Sequence, residues 1–125
     1  VTFAGPNRIA ALNDCFRRHS GALGSAESTA ERPPPGRPMM TAGVAALAAE
    51  FQLAAWRAVR DFDDFSEDND PYQEHDFGAF ELEPVGQLFW KIDYYADATL
   101  TAGSEDPADP ESSYRVLTLM LANEY

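Results

Sequence analysis

The most regular pattern in the chain runs from Val44 to Phe62. Val44, Leu47, Phe51, Ala55, Ala58 and Phe62 recur at three- and four-residue steps, and Trp56 and Val59 widen the same stripe. That period predicts an amphipathic helix entered from Thr41 to Leu47. A shorter stripe of Ile9, Leu12 and Phe16 predicts an earlier helix over 7–20, with Asn7 as its cap. Arg17 and Arg18 lie near its C-terminal end, where the macrodipole favours cations. After residue 77 the period changes to two. Gly78, Phe80 and Leu82 alternate with Ala79, Glu81 and Glu83. Beyond Pro84-Val85-Gly86, Leu88, Trp90, Ile92 and Tyr94 alternate with Phe89, Lys91 and Asp93. Two such runs across a Gly turn predict an antiparallel hairpin whose inner face packs on the second helix. Val116, Leu117, Met120 and Leu121 fit a C-terminal helix, capped by Asp109 with Pro110 at its first position. They also pass as a buried strand; the helix is the expectation.

Residues 20–38 are rich in Gly, Ser, Ala and Pro and include Pro33-Pro34-Pro35-Gly36. This reads as a flexible linker with a stiff, extended end. It leaves the first helix as a tethered arm on a core of 39–125. Met39 and Met40 suit a short strand, although Pro38 argues against a regular one. At 125 residues the chain is expected to be a single domain. The expected class is α+β, an antiparallel hairpin or small sheet packed against two to three helices.

Charge changes the picture more than overall composition does. The net charge is −12, and it is unevenly spread. Residues 1–60 carry seven arginines against four acids, whereas residues 61–125 carry Lys91 and Arg115 against 17 acids. The second half repels phosphate backbones and anionic lipid, so neither nucleic acid nor membrane is an expected direct partner. It attracts a basic protein surface. No apolar run approaches the roughly 20 residues that span a bilayer. The N-terminus lacks the order of a signal peptide. Cys15 is the single cysteine. Together these point to the cytoplasm.

Between Asp61 and Glu83 there are ten acids and no Lys or Arg. Asp61, Asp63 and Asp64 fall at the C-terminal end of the second helix, where an exposed anion costs roughly 0.3–1 kcal/mol. A segment carrying such costs reads either as a solvated acidic loop that keeps the protein soluble or as a partner-binding surface. Its candidate residues are Asp61, Asp63, Asp64, Glu67, Asp68, Asp70, Glu74 and Asp76, with Tyr72 as an aromatic anchor. Phe89 and Tyr95, on the outer face of the hairpin, are further anchors. A metal-assisted hydrolase centred on Asp68, Asp70, His75 and Asp76 is the enzymatic alternative. Yet the spacing is not that of an EF-hand loop. Cys15, His75 and Asp76 can be drawn as a triad, but a cysteine beside a helix's apolar stripe is more often a core residue. There is no phosphate loop, nucleophile elbow or cysteine pair, and no cofactor is implied.

Several segments occur in a familiar order. They are Thr41-Ala42-Gly43-Val44-Ala45-Ala46-Leu47, Phe62-Asp63-Asp64-Phe65, Glu67-Asp68-Asn69-Asp70-Pro71-Tyr72 and His75-Asp76-Phe77-Gly78-Ala79-Phe80. Trp90-Lys91-Ile92-Asp93-Tyr94-Tyr95, Asp106-Pro107-Ala108-Asp109-Pro110 and Arg115-Val116-Leu117-Thr118 complete them. Over roughly residues 39–125 the chain resembles a bacterial family of small proteins catalogued as a domain of unknown function and often carried on plasmids and other mobile elements. Pro38 departs from the apolar strand residue usual in that family. The resemblance supplies no catalytic residues. Carriage on mobile elements implies evasion of host defence. The expected function is therefore an acidic, non-enzymatic inhibitor of a basic nucleic-acid-binding defence complex. A type I CRISPR surveillance complex, blocked at its DNA groove, is the expected target. A plain accessory protein of a mobile element is the other non-catalytic alternative.

Overall fold

The computed structural model describes residues 6–19 and 33–125. Linker residues 20–32, of which residue 20 is the expected end of the first helix, lie outside them. In chain order the elements are α1 (Pro6–Arg18), β1 (Gly36–Met40), α2 (Ala42–Ala45), α3 (Ala49–Arg60), β2 (Phe77–Leu82), β3 (Gly86–Tyr95) and β4 (Tyr114–Leu121). A 3₁₀ turn, Ala122–Glu124, follows. The four strands form one sheet in the order β1-β4-β3-β2. β2, β3 and β4 pair antiparallel, and β1 runs parallel to β4. The class is α+β, as the patterning predicts.

The expected hairpin forms, with Gly78 opposite Trp90 and Phe80 opposite Leu88. Opposed residues share a face, so Leu88, Trp90 and Ile92 point inward together. β4 adds Leu117 opposite Ile92 and Leu119 opposite Trp90. All five are buried, and Val44, Trp56 and Val59 pack over them.

Three local expectations are corrected. First, residues 114–121 are a strand and not a helix. β4 lies between β1 and β3, and Val116 and Met120 are buried on one face while Leu117 and Leu119 are buried on the other. A run buried on both faces has no alternation to betray it. The expected cap becomes a turn: Asp109 accepts the Glu111 N–H at 2.9 Å and the Ser112 hydroxyl at 2.8 Å. Second, the long helix is two helices, broken between Ala45 and Ala49. Gln52 donates to the freed carbonyls of Ala45 and Leu47, both at 3.0 Å, which satisfies the end of α2. Third, Pro38 sits in a regular strand, opposite Leu117. β1 is an edge strand, where a missing donor can face outward.

α1 starts at Pro6, so Asn7 lies inside its first turn and is not the cap. Expected as a tethered arm, α1 buries Ala10, Asn13, Cys15, Phe16 and Arg17, and Phe16 joins the central core.

Candidate functional site

The acidic segment forms the connection from α3 to β2, and it is tied down at several points. Arg17, only 1 % exposed, reaches across from α1. Its Nη1 donates to the carbonyls of Val59 (2.8 Å), Arg60 (3.1 Å) and Phe62 (2.9 Å), and its Nη2 to Asp14 (2.9 Å). A cation thus caps the C-terminal end of α3 and offsets the unfavourable acids that follow. Burial lowers the Arg17 pKa from its ordinary value, and Asp14 opposes that shift. Farther along, Asn69 accepts the Ser66 N–H at 2.7 Å and donates to the Asp64 carbonyl at 2.8 Å. Asp70 accepts the N–H groups of Glu74 and His75 at 3.1 and 3.2 Å. Gln73 and His75 both adopt left-handed backbone, with φ of 56°. The chain therefore turns sharply and leaves Tyr72 76 % exposed at its tip.

The nine expected binding residues divide. Asp61, Asp63, Asp64, Glu67, Asp68 and Tyr72 face solvent. Of these acids only Asp61 is in an ion pair among the described residues, with Arg60 at 3.0 Å. Asp70, Glu74 and Asp76 turn inward and are removed from the outer surface. Asp70 is buried in its turn. Glu74 accepts the Tyr94 hydroxyl at 3.0 Å, and its carbonyl accepts Asn13 Nδ2 at 2.9 Å. The same Nδ2 donates to the Tyr94 hydroxyl at 2.7 Å, while Asn13 Oδ1 accepts Arg115 Nε at 2.6 Å. Arg115 also donates to Ser113 and to the Pro107 carbonyl and lies over the Tyr94 ring, 5.1 Å from its centre. Burial keeps the Tyr94 hydroxyl protonated far above its usual range. Sequence reading missed Asn13, Arg17 and Arg115. The one legible signal was Arg115, a cation inside an otherwise apolar run.

Asp76 is half-buried with Glu74 nearby. Burial first, and then the Glu74 charge, raise its pKa above 3.8. Its charged form therefore costs the fold stability. That cost is complete above the raised folded pKa and disappears as pH falls below the unfolded value. Asp76→Asn is expected to be more stable than wild type at pH 7, by a margin that closes toward pH 3.5. Paired urea titrations at the two pH values check this. A pH-independent difference would remove ionisation as the cause.

Between α1 and the acidic segment lies a cleft of about 550 Å³, lined among others by Asp14, Phe65, Ser66, Glu67, Asp70 and His75. His75 stacks on Phe65 with ring centres 3.8 Å apart and planes within 1°. Its Nδ1 lies 3.0 Å from Asp14 Oδ1. A carboxylate only accepts, so Nδ1 carries the proton. Nε2 is 3.7 Å from Asp70 Oδ2. His75 thus engages Asp14 from α1, and Cys15 is buried in the α1 interface. Asp68 faces solvent, apart from the inward Asp70 and Asp76. Among the described residues no group of three or more His, Cys, Asp or Glu side chains is arranged to hold a metal ion. On the opposite side of the sheet Phe89 packs against Phe77 and Tyr125, with ring centres 5.4 and 5.3 Å away, so this expected anchor belongs to an aromatic cluster of the chain itself. Among the described residues no helix is long and apolar enough to cross a membrane.

No curated protein and no solved structure matches the chain. A family model described as "Protein of unknown function (DUF3768)" matches residues 40–124, from the end of β1 through the 3₁₀ turn. That span holds the acidic segment and the whole hairpin, and it begins beyond α1, which supplies Asn13, Asp14 and Arg17. It covers well over half of the sequence, and on that match the chain belongs to the DUF3768 family.

Proposed function

We propose that this protein is an acidic, non-enzymatic inhibitor that docks its α3–β2 connection on a basic surface normally occupied by nucleic acid. The observation that carries the proposal is a fixed array of carboxylates without counter-cations. Asp63, Asp64, Glu67 and Asp68 are exposed and make no ion pair among the described residues. The backbone that presents them is held by Arg17, Asn69 and Asp70. A rigid array loses little freedom on binding, which favours affinity. Duplex DNA carries one charge per about 1.7 Å of axis, and a dense row of carboxylates reproduces part of that field. Tyr72 at the tip supplies an aromatic contact of the kind that anchors protein interfaces.

Carriage on mobile elements, implied by the sequence resemblance, directs the proposal to host defence. The target proposed is the DNA-binding groove of a type I CRISPR surveillance complex in the bacterial cytoplasm. The test is target-DNA binding by the purified complex, titrated with this protein at two salt concentrations. Loss of DNA binding, reversed as salt rises, is the expected result. The variant Asp63→Asn/Asp64→Asn/Glu67→Gln/Asp68→Asn leaves Asp70 in place, because Asp70 holds the turn. Exposed pairs contribute about 0.2–1 kcal/mol each, so loss of four should weaken inhibition roughly four-fold to nearly a thousandfold while the protein stays folded. Full inhibition by this variant would overturn the acidic mechanism. An absence of any effect of the wild-type protein on DNA binding would favour an accessory role.

A further inference from the structure

We infer that the cleft between α1 and the acidic segment receives a single arginine side chain of the basic partner. This rests on the docking reading above and names the group recognised. The cavity, about 550 Å³, falls within the range of sites that enclose small ligands, and a guanidinium with its stem fits inside it. Ala10 and Ala11 form the α1 wall, and their small side chains leave that space open. Asp14, Glu67 and Asp70 bring three carboxylates to the cleft. Two are already engaged: Asp14 by Arg17 and His75, and Asp70 by the backbone of its turn. Glu67 has no hydrogen bond or ion pair with any described residue and stands at the exposed rim. Arg17, which bonds Asp14, is buried and committed to the carbonyls at the end of α3.

Charge complementarity therefore selects a cation and excludes an anion. Shape selects arginine over lysine. Phe65 and His75 both line the cleft, stacked on each other with ring centres 3.8 Å apart, so a guest meets the outside of the stack and not the space between the rings. A planar guanidinium suits aromatic walls and forks onto a carboxylate, whereas an ammonium is a strongly hydrated point charge. His75 serves this arrangement as a wall, its ring held by Asp14 at 3.0 Å.

The experiment is an NMR titration of the ¹⁵N-labelled full-length protein with N-acetyl-arginine amide, with the isosteric neutral N-acetyl-citrulline amide as control. An arginine-rich peptide forms a second arm. Saturable shifts confined to residues 10–14 and 65–75 are expected with the arginine probe and not with citrulline. Glu67→Gln should weaken that binding about tenfold, the effect of losing one charge-assisted contact. Ala11→Leu, which fills the cleft without changing charge, should abolish it while the melting temperature holds. If the peptide binds wild type and Ala11→Leu equally, the cleft proposal is overturned and acidic docking stands. If neither probe binds, both fall. Binding of arginine amide without binding of the peptide makes this a site for a free guanidinium ligand and overturns the docking of a partner side chain.

Discussion

Arg17→Leu is expected to destabilise the protein by about 3–5 kcal/mol, the range for breaking a buried charge network. The substitution removes the guanidinium and shortens the side chain, so the loss combines the missing hydrogen bonds and charge with the space that the buried group vacates. Three carbonyls at the end of α3 lose their donor together, and Asp14 loses its partner at 2.9 Å. The consequence reaches the functional loop. Without this cap, Asp61, Asp63 and Asp64 follow an uncompensated helix terminus, and the connection to β2 loosens. Arg17→Lys keeps the charge but not the planar fork, and an intermediate loss is expected. Urea denaturation of the three proteins checks the order. A loss below about 1 kcal/mol for Arg17→Leu, the worth of one ordinary hydrogen bond, would mean that the helix end does not depend on this side chain.

Gly36→Ala is expected to cost about 3 kcal/mol, the upper part of the usual range for overpacking. A methyl group at this position collides with the backbone carbonyl of Arg115 and with the ring of Phe16. Gly36 pairs with Arg115 across the parallel β1–β4 contact, and Phe16 of α1 lies directly on it. The ring can give way but the carbonyl cannot, because moving it shifts a central strand. Combining Gly36→Ala with Phe16→Leu should therefore recover part of the loss and not all of it. Complete recovery would place the conflict entirely at the ring. A wild-type melting temperature for Gly36→Ala alone would show that β1 and α1 do not approach each other this closely.

These effects converge on the join between the first 40 residues and the rest. The family match begins at residue 40, yet the carbonyls before the acidic segment are capped by Arg17 and the cleft is walled by α1. The charged surface belongs to the matched region, while part of its rigidity comes from a segment before it.

How much of this was legible in the chain depends on the range of the interaction. The hairpin was readable residue by residue, because Phe80, Leu82, Trp90 and Ile92 alternate with Glu81, Glu83, Lys91 and Asp93 and each strand exposes its period locally. α3 was readable for the same reason, and so was the concentration of acids between Asp61 and Glu83. β4 was not, since burial on both faces erases the alternation that separates a strand from a helix. Gly36 reads as linker composition beside three prolines, and only the approach of Phe16 and the Arg115 carbonyl shows it as a packing position.

The candidate site divides along the same line. By itself the sequence determined that an acidic surface without cations would stand between a helix and a hairpin. Composition and period are local properties, and they survive without coordinates. Only the tertiary structure decided which acids face outward. Asp70, Glu74 and Asp76 have the same chemistry as Asp63 and Asp68 but turn inward: the Glu74 carboxylate meets the Tyr94 hydroxyl, twenty residues away on β3, while Asp70 is held by the N–H groups of Glu74 and His75 in its own turn. A carboxylate turns inward where a donor waits for it inside, and for Glu74 that donor is brought by the fold and not by the neighbouring residues.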